Sequence, residues 1–142
     1  MKDASASLMP LLCFQHIESV VINMKKIIFT QGAPFPLGPY SQAVLAGNTL
    51  YCSGQIAAEQ LDSDIATQTK HVCENIKAVL AAADMQLEHV VKTTCFLANM
   101  SDFAAFNAVY ETYFAHKPAR STVAVKELPK AALVEVEVIA VK

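Results

Sequence analysis

The stretch Leu133-Val134-Glu135-Val136-Glu137-Val138-Ile139-Ala140 has the period-two pattern of a β-strand. Because successive side chains of a strand point to opposite faces, its valines and Ala140 share one apolar face that can pack against helices. Glu135 and Glu137 share the other face, where Leu133 and Ile139 flank them, so that face is only partly exposed to water. The strand therefore predicts a sheet that is covered by helices on one side.

Upstream of this strand, short apolar or β-branched runs alternate with turn residues. They predict five further strands, at residues 26–30, 41–46, 48–53, 90–98 and 121–126. Gly47-Asn48 is a tight hairpin signal between the second and third of these strands. The glycines and prolines of residues 32–39 predict a loop with little backbone freedom.

Two segments have the three- and four-residue spacing of amphipathic helices. The first follows a cap at Ser63 or Asp64 and runs to Ala83. The second follows Ser101-Asp102 and ends before Pro118. The element order is β-β-β-α-β-α-β-β, so we expect an α+β fold with two helices against one face of a mixed sheet.

Composition and length indicate one folded domain with a short extension. Of the 142 residues, 54 % are hydrophobic and 17 % are charged, which excludes disorder for most of the chain. Residues 1–23 match neither a signal peptide nor a mitochondrial presequence, and we expect them to lie outside a domain of residues 24–142. No apolar run is long enough to span a bilayer, so we expect no membrane partner. We also expect a cytoplasmic protein, in which the cysteines stay reduced.

Charge and cysteine spacing argue against nucleic-acid and metal partners. The net charge is −2, whereas proteins that bind phosphate backbones usually have a basic surplus. Cys13, Cys52, Cys73 and Cys95 form no C-x-x-C pair, and the four histidines lie far apart. We therefore expect reduced, mostly buried thiols and no metal site.

Arg120 and the two glutamates are the candidate catalytic groups. Arg120 is the only arginine, and its planar guanidinium can bind a carboxylate or a phosphate through two parallel hydrogen bonds. A surface arginine, or one paired with a structural glutamate, is the alternative. Glu135 and Glu137 either are solvated or ion-paired, or include a carboxylate that holds a water molecule or takes a proton.

Four further residues are candidates for a binding cleft. Tyr40 follows Gly38-Pro39, and Ser53-Gly54 ends a strand where a ligand can approach the backbone closely. Turn geometry explains these residues equally well. Asn107 interrupts the apolar side of the second helix, so it needs either a structural hydrogen bond or a ligand.

Six short motifs occur in an order and at spacings that resemble the RidA (YjgF-like) reactive-intermediate deaminases. They are Gly38-Pro39-Tyr40-Ser41-Gln42, Ser53-Gly54-Gln55-Ile56, Val91-Lys92-Thr93-Thr94, Phe106-Asn107-Ala108-Val109-Tyr110, Pro118-Ala119-Arg120-Ser121 and Val134-Glu135-Val136-Glu137. The resemblance extends from about Lys25 to Lys142. It implies a chorismate-mutase-like homotrimer with clefts between subunits, which hydrolyses 2-imino and 2-enamino acids such as 2-aminoacrylate to 2-keto acids and ammonia without a cofactor.

The resemblance also implies roles for individual residues. Arg120 would bind the substrate carboxylate, and Glu137, the second glutamate of its motif, would position the attacking water. Tyr40, Ser53, Gly54 and Asn107 would line the cleft. Thr122 stands where such proteins often have cysteine, and only its backbone carbonyl is expected to contact the substrate.

Two alternatives and two departures accompany the resemblance. Such proteins are also associated with endoribonuclease activity and translation inhibition, which the net charge of −2 disfavours here, and with non-catalytic trimers that bind small carboxylates. The loop at residues 57–64 lacks the usual proline and glycine and is shorter. The connection between Phe114 and Pro118 is shorter as well, and both loops bear on substrate range.

Overall fold

A computed structural model describes residues 25–142, which form one six-stranded mixed sheet and two α-helices. In chain order the elements are β1 (Lys25–Ile28), β2 (Ala43–Ala46), β3 (Thr49–Gln55), α1 (Ile65–Ala82), β4 (Val90–Leu97), α2 (Phe103–Tyr113), β5 (Ala119–Ala124) and β6 (Val134–Val141). This order confirms the predicted α+β arrangement.

The last strand of the chain lies in the interior of the sheet. The strand order is β1-β2-β3-β6-β4-β5, and β6 pairs antiparallel with both β3 and β4. Only β4 and β5 run parallel, because α2 carries the chain back to the starting end of the sheet. The sheet is therefore mixed, with its only parallel pair at the β5 edge.

The core lies between the sheet and the helices. Val134, Val136, Val138 and Ala140 of β6 are each at most 1 % exposed. The apolar face of α1 packs on them, and the Asp64 carboxylate caps this helix by accepting a hydrogen bond from the Thr67 amide at 2.8 Å. The opposite sheet face has no helix on it among residues 25–142.

The predicted start of β5 is wrong for an identifiable reason. β5 begins at Ala119 rather than residue 121, because its parallel pairing with β4 starts at Lys92 and Ala119, so Arg120 lies within the strand. The predicted start of α2 is confirmed, since Asp102 is its N-cap residue, although the Asp102 side chain makes no capping hydrogen bond. The chain enters that helix through a 3₁₀ turn in which the Asn99 side chain accepts from the Ser101 amide. The predicted extension at residues 1–23 lies outside the described residues.

The described cysteines are free, buried thiols, as predicted. Burial raises the pKa of Cys52 and of Cys73 to about 12, and it raises the pKa of Cys95 as well. A thiol that stays protonated at neutral pH is a poor nucleophile. These three cysteines therefore serve packing.

Candidate functional site

Arg120 lies on the helix side of the sheet, at the β5 edge. Its register partner on β4 is Thr93, a buried residue, and its Nη1 donates a hydrogen bond of 2.8 Å to the Asn107 side-chain oxygen on α2. This oxygen is neutral, so the contact orients the guanidinium without cancelling its charge. The remaining N–H groups include the pair that could bind a carboxylate.

A cavity of about 390 Å³ opens beside this arginine. Its lining comprises Asn107, Tyr110, Glu111, Phe114, Lys117, Pro118 and Arg120. The sequence predicted Arg120 and Asn107 at this site but gave no signal for Tyr110, which reads as an ordinary apolar helix position. The guanidinium carbon lies 4.8 Å from the centre of the Tyr110 ring and 5.5 Å from that of Phe103.

Thr122 lies on the same face of β5 as Arg120, since it is two positions further along the strand. Its register partner is the buried Cys95. The Thr122 hydroxyl oxygen is buried and makes no hydrogen bond with the described residues. The contact of its backbone carbonyl with the substrate stays a prediction.

The two glutamates lie on the opposite face of the sheet from Arg120. They border a second cavity, of about 330 Å³. Its lining comprises Tyr40, Ser53, Gly54, Ile56, Pro129, Glu135 and Glu137. The structure thus brings together both candidate carboxylates and three of the residues predicted to line the cleft.

Glu135 and Glu137 have different environments although they share a strand face. Glu135 is half-buried, and desolvation, with a smaller contribution from the charge of Glu137, raises its pKa above the ordinary value. Glu137 is exposed. Because burial favours the neutral form of a carboxyl group, Glu135 holds a proton more readily than a fully hydrated carboxyl group does.

Gly54 determines where the Glu135 carboxyl group can lie. β3 and β6 have an irregular register between Cys52 and Gln55, and Glu135 packs directly over Gly54 there. A β-carbon at residue 54 would overlap the Glu135 Oε1 atom. The glycine is therefore needed for close approach, as a strand glycine often is.

Hydrogen bonds hold the other members of this group in place. The Ser53 hydroxyl donates to the Ser41 carbonyl at 2.6 Å, and the Ser53 amide donates to the Gln42 carbonyl at 2.9 Å. The Tyr40 hydroxyl accepts from the Leu37 amide at 3.3 Å. Tyr40 is nevertheless 52 % exposed, so its ring is open to a ligand.

The candidate site is divided within one chain. The arginine cavity and the glutamate cavity share no lining residue and lie on opposite faces of the sheet. Among residues 25–142, the sheet therefore separates the group suited to bind a carboxylate from the groups suited to proton transfer. A second copy would be needed to bring both to one substrate.

The six-stranded mixed sheet covered by two helices on one face defines a small α+β protein. The family model described as Endoribonuclease L-PSP matches residues 30–142, and the chain belongs to this family, which includes the RidA proteins. The resemblance drawn from the six sequence motifs is thereby confirmed.

Individual relatives have different names. A RutC family protein of Pyrococcus horikoshii is 51 % identical over 125 residues, which is 84 % of this chain and 99 % of the relative. The 2-iminobutanoate/2-iminopropanoate deaminase of Escherichia coli K12 is 41 % identical over 127 residues, 84 % of this chain and 99 % of the enzyme. The structure of E. coli TdcF with bound serine covers 82 % of this chain and 98 % of its own, at 38 % identity and a TM-score of 0.79.

No helix of residues 25–142 is long and apolar enough to cross a membrane. Within the same residues, no three histidine, cysteine, aspartate or glutamate side chains come together as a metal site.

Proposed function

We propose that the protein hydrolyses reactive 2-imino and 2-enamino acids to 2-keto acids and ammonia. The observation that carries the proposal is the divided site, in which a neutral side chain orients the only arginine and a half-buried carboxyl group with a raised pKa lies beside a second cavity. The similarity to an E. coli enzyme named as an imine deaminase supports it.

Arg120 supplies carboxylate binding in this proposal. Its contact with neutral Asn107 leaves the positive charge available, and its planar shape matches a carboxylate. Because an imine is already electrophilic, most of the required catalysis is positioning of the substrate and a water molecule. A site with one arginine and one carboxyl group meets this requirement.

Glu135 is the carboxyl group that we propose for proton transfer, in place of Glu137, which the family resemblance indicated. Glu135 is half-buried over Gly54, and burial raises its pKa above the ordinary value, which favours a carboxyl group that can hold a proton and return it. Glu137 is exposed, and its charge contributes to the raised pKa of Glu135.

The proton transfers balance without a cofactor. Protonation of the enamine at its terminal carbon by the Glu135 carboxyl group gives the imine already protonated on nitrogen, in which the adjacent carbon is electrophilic. A neutral imine reaches the same state by protonation on its nitrogen. Water then attacks that carbon while the Glu135 carboxylate accepts the proton. Glu135 returns this proton to the nitrogen of the resulting carbinolamine, and the carbon–nitrogen bond breaks as the hydroxyl group gives its proton to the Glu135 carboxylate and becomes the keto oxygen. Ammonia and the 2-keto acid leave, and Glu135 is protonated again.

A homotrimer with clefts between subunits is the assembly that we propose. Arg120 and Glu135 lie on opposite faces of the sheet, so a shared substrate requires Arg120 from one copy and Glu135 from its neighbour. The sheet face without helices also carries an apolar row, which a second copy would cover. The row follows the strand register from Ile27 through Val44 and Tyr51 to Ile139.

A coupled assay tests the proposed activity. A serine or threonine dehydratase generates the imine, and the release of ammonia and 2-keto acid is followed against the uncatalysed rate. We expect clear acceleration by the native protein and little by Arg120→Ala at unchanged oligomer mass. Equal rates with and without the native protein would refute the proposal, and RNA cleavage abolished by the same variant would favour the endoribonuclease alternative.

A further inference from the structure

The guanidinium group of Arg120 lies against aromatic rings of α2. The Tyr110 ring is 4.8 Å and the Phe103 ring 5.5 Å from the guanidinium carbon, both within the roughly 6 Å range of cation–π attraction. Asn107, on the same helix, accepts the hydrogen bond from Nη1. One helix therefore contacts the arginine through two rings and one amide oxygen.

We propose that Tyr110 is a positioning residue, whose ring holds the Arg120 guanidinium in the orientation that binds a carboxylate. Phe103 assists it at the longer distance. This inference rests on the proposed function, because it assumes that Arg120 binds the carboxylate of the substrate. It assigns Tyr110 no direct contact with the reacting atoms.

Tyr110 is itself held firmly, which a positioning residue requires. Its hydroxyl lies 2.7 Å from the Thr93 hydroxyl, and its ring packs between those of Phe106 and Phe114 at centroid distances of 5.4 and 4.6 Å. Tyr110 is only 7 % exposed. Burial raises its pKa, so the phenol stays protonated and the ring stays neutral at physiological pH.

Part of the Arg120 guanidinium group contacts the protein, and the rest is open to a ligand. The rings lie against it, Asn107 binds Nη1, and the other N–H groups remain for two parallel hydrogen bonds to a carboxylate. An unsupported arginine side chain has many rotamers, and ordering them on binding weakens affinity. Removing the ring should therefore weaken carboxylate binding even though Arg120 is still present.

Equilibrium binding to a stable ligand tests this without turnover. Titration calorimetry with 2-oxobutanoate and with its neutral carboxamide measures how strongly the site prefers a carboxylate. The variants are Tyr110→Leu, Tyr110→Phe and Phe103→Leu, with Arg120→Ala as the reference for loss of the arginine. Tyr113→Leu is the matched control, because it makes the same change one turn along α2, where the hydroxyl bonds Glu74 instead.

We expect Tyr110→Leu to raise the Kd for 2-oxobutanoate by roughly 2- to 30-fold, the effect of losing about 0.5–2 kcal/mol of cation–π attraction. The Kd for the carboxamide should change little. Tyr110→Phe keeps the ring, so its Kd should equal that of the native protein. Its Tm should be lower, because the hydrogen bond between the Tyr110 and Thr93 hydroxyl groups is lost. Phe103→Leu should have a smaller effect on the Kd, and Tyr113→Leu none.

The outcomes separate this inference from the proposed function. An unchanged carboxylate Kd in Tyr110→Leu, with Arg120→Ala clearly weakened, would overturn the positioning role alone. An unchanged Kd in Arg120→Ala would overturn the role of the arginine and this inference with it. If Tyr110→Leu does not fold, the other two variants decide. Tyr110→Phe keeps the ring and Phe103→Leu removes the second ring, so weak binding by the first together with native-like binding by the second would refute the role of the ring.

Discussion

Substitution of Glu135 by glutamine distinguishes the two candidate carboxyl groups most directly. Glutamine keeps the size of the side chain over Gly54 but can neither accept a proton nor carry charge. General acid–base catalysis contributes roughly 10²- to 10⁴-fold, so we expect a fall in kcat/KM of that size, or about 2.7–5.4 kcal/mol in the barrier. Glu137→Gln, two residues along the same strand face, should lower kcat/KM much less.

The assay is the coupled dehydratase reaction, with oligomer mass measured in parallel. Equal losses in the two variants, or a larger loss in Glu137→Gln, would refute the assignment of Glu135. The second outcome would restore the assignment indicated by the family resemblance. If either variant loses the native oligomer, the comparison is made with Glu135→Asp and Glu137→Asp, which keep the charge but have a shorter side chain. The larger fall in kcat/KM should again be at residue 135.

The same substitution has an expected effect on stability. The Glu135 pKa is raised in the folded protein, so the folded state binds more protons than the unfolded state between the two pKa values. Glu135 stabilises the folded state fully below its pKa in the unfolded chain, which is about 4.3. This stabilisation is lost as the pH rises through the pKa of Glu135 in the folded protein. Glu135→Gln should therefore have a higher Tm than the native protein at pH 7, and the difference should disappear near pH 4.

Three further predictions concern the arginine, the glycine and the assembly. Arg120→Lys keeps the charge but loses the planar fork, so kcat/KM should fall roughly 10- to 150-fold, as expected for a lost charge-assisted hydrogen bond; native activity would contradict its binding role. Gly54→Ala should displace the Glu135 carboxyl group and reduce turnover toward that of Glu135→Gln, whereas the exposed Gly38→Ala should not. Light scattering at micromolar concentration should give three times the chain mass, and a monomer would exclude the shared site.

The fold was largely predictable because one stretch carries most of the information. The alternation in residues 133–140 predicted a strand with one buried face, and β6 indeed lies inside the sheet with its valines buried. The limits of β5 were not predictable, since they depend on parallel pairing with β4 through residues about 27 positions apart in the chain. Local sequence has no signal for such pairing.

The difference between Glu135 and Glu137 was also beyond the sequence. Alternation puts both on the same face and says nothing about which one is buried. Their environments differ because β3 has a register irregularity that brings Gly54 under Glu135. The deciding feature therefore lies on a neighbouring strand, about 80 residues away in the chain.

Strand register also explains why one chain cannot assemble the proposed site. Arg120 pairs with Thr93, which pairs with Val138, so the arginine shares the helix-covered face with the buried valines of β6. Glu135 and Glu137 alternate with those valines and face the other way. A side chain cannot reach the other face of the sheet by rotating, since the sheet lies between Arg120 and the glutamates. If both groups act on one substrate, they come from different copies, and catalysis is then lost whenever the assembly dissociates.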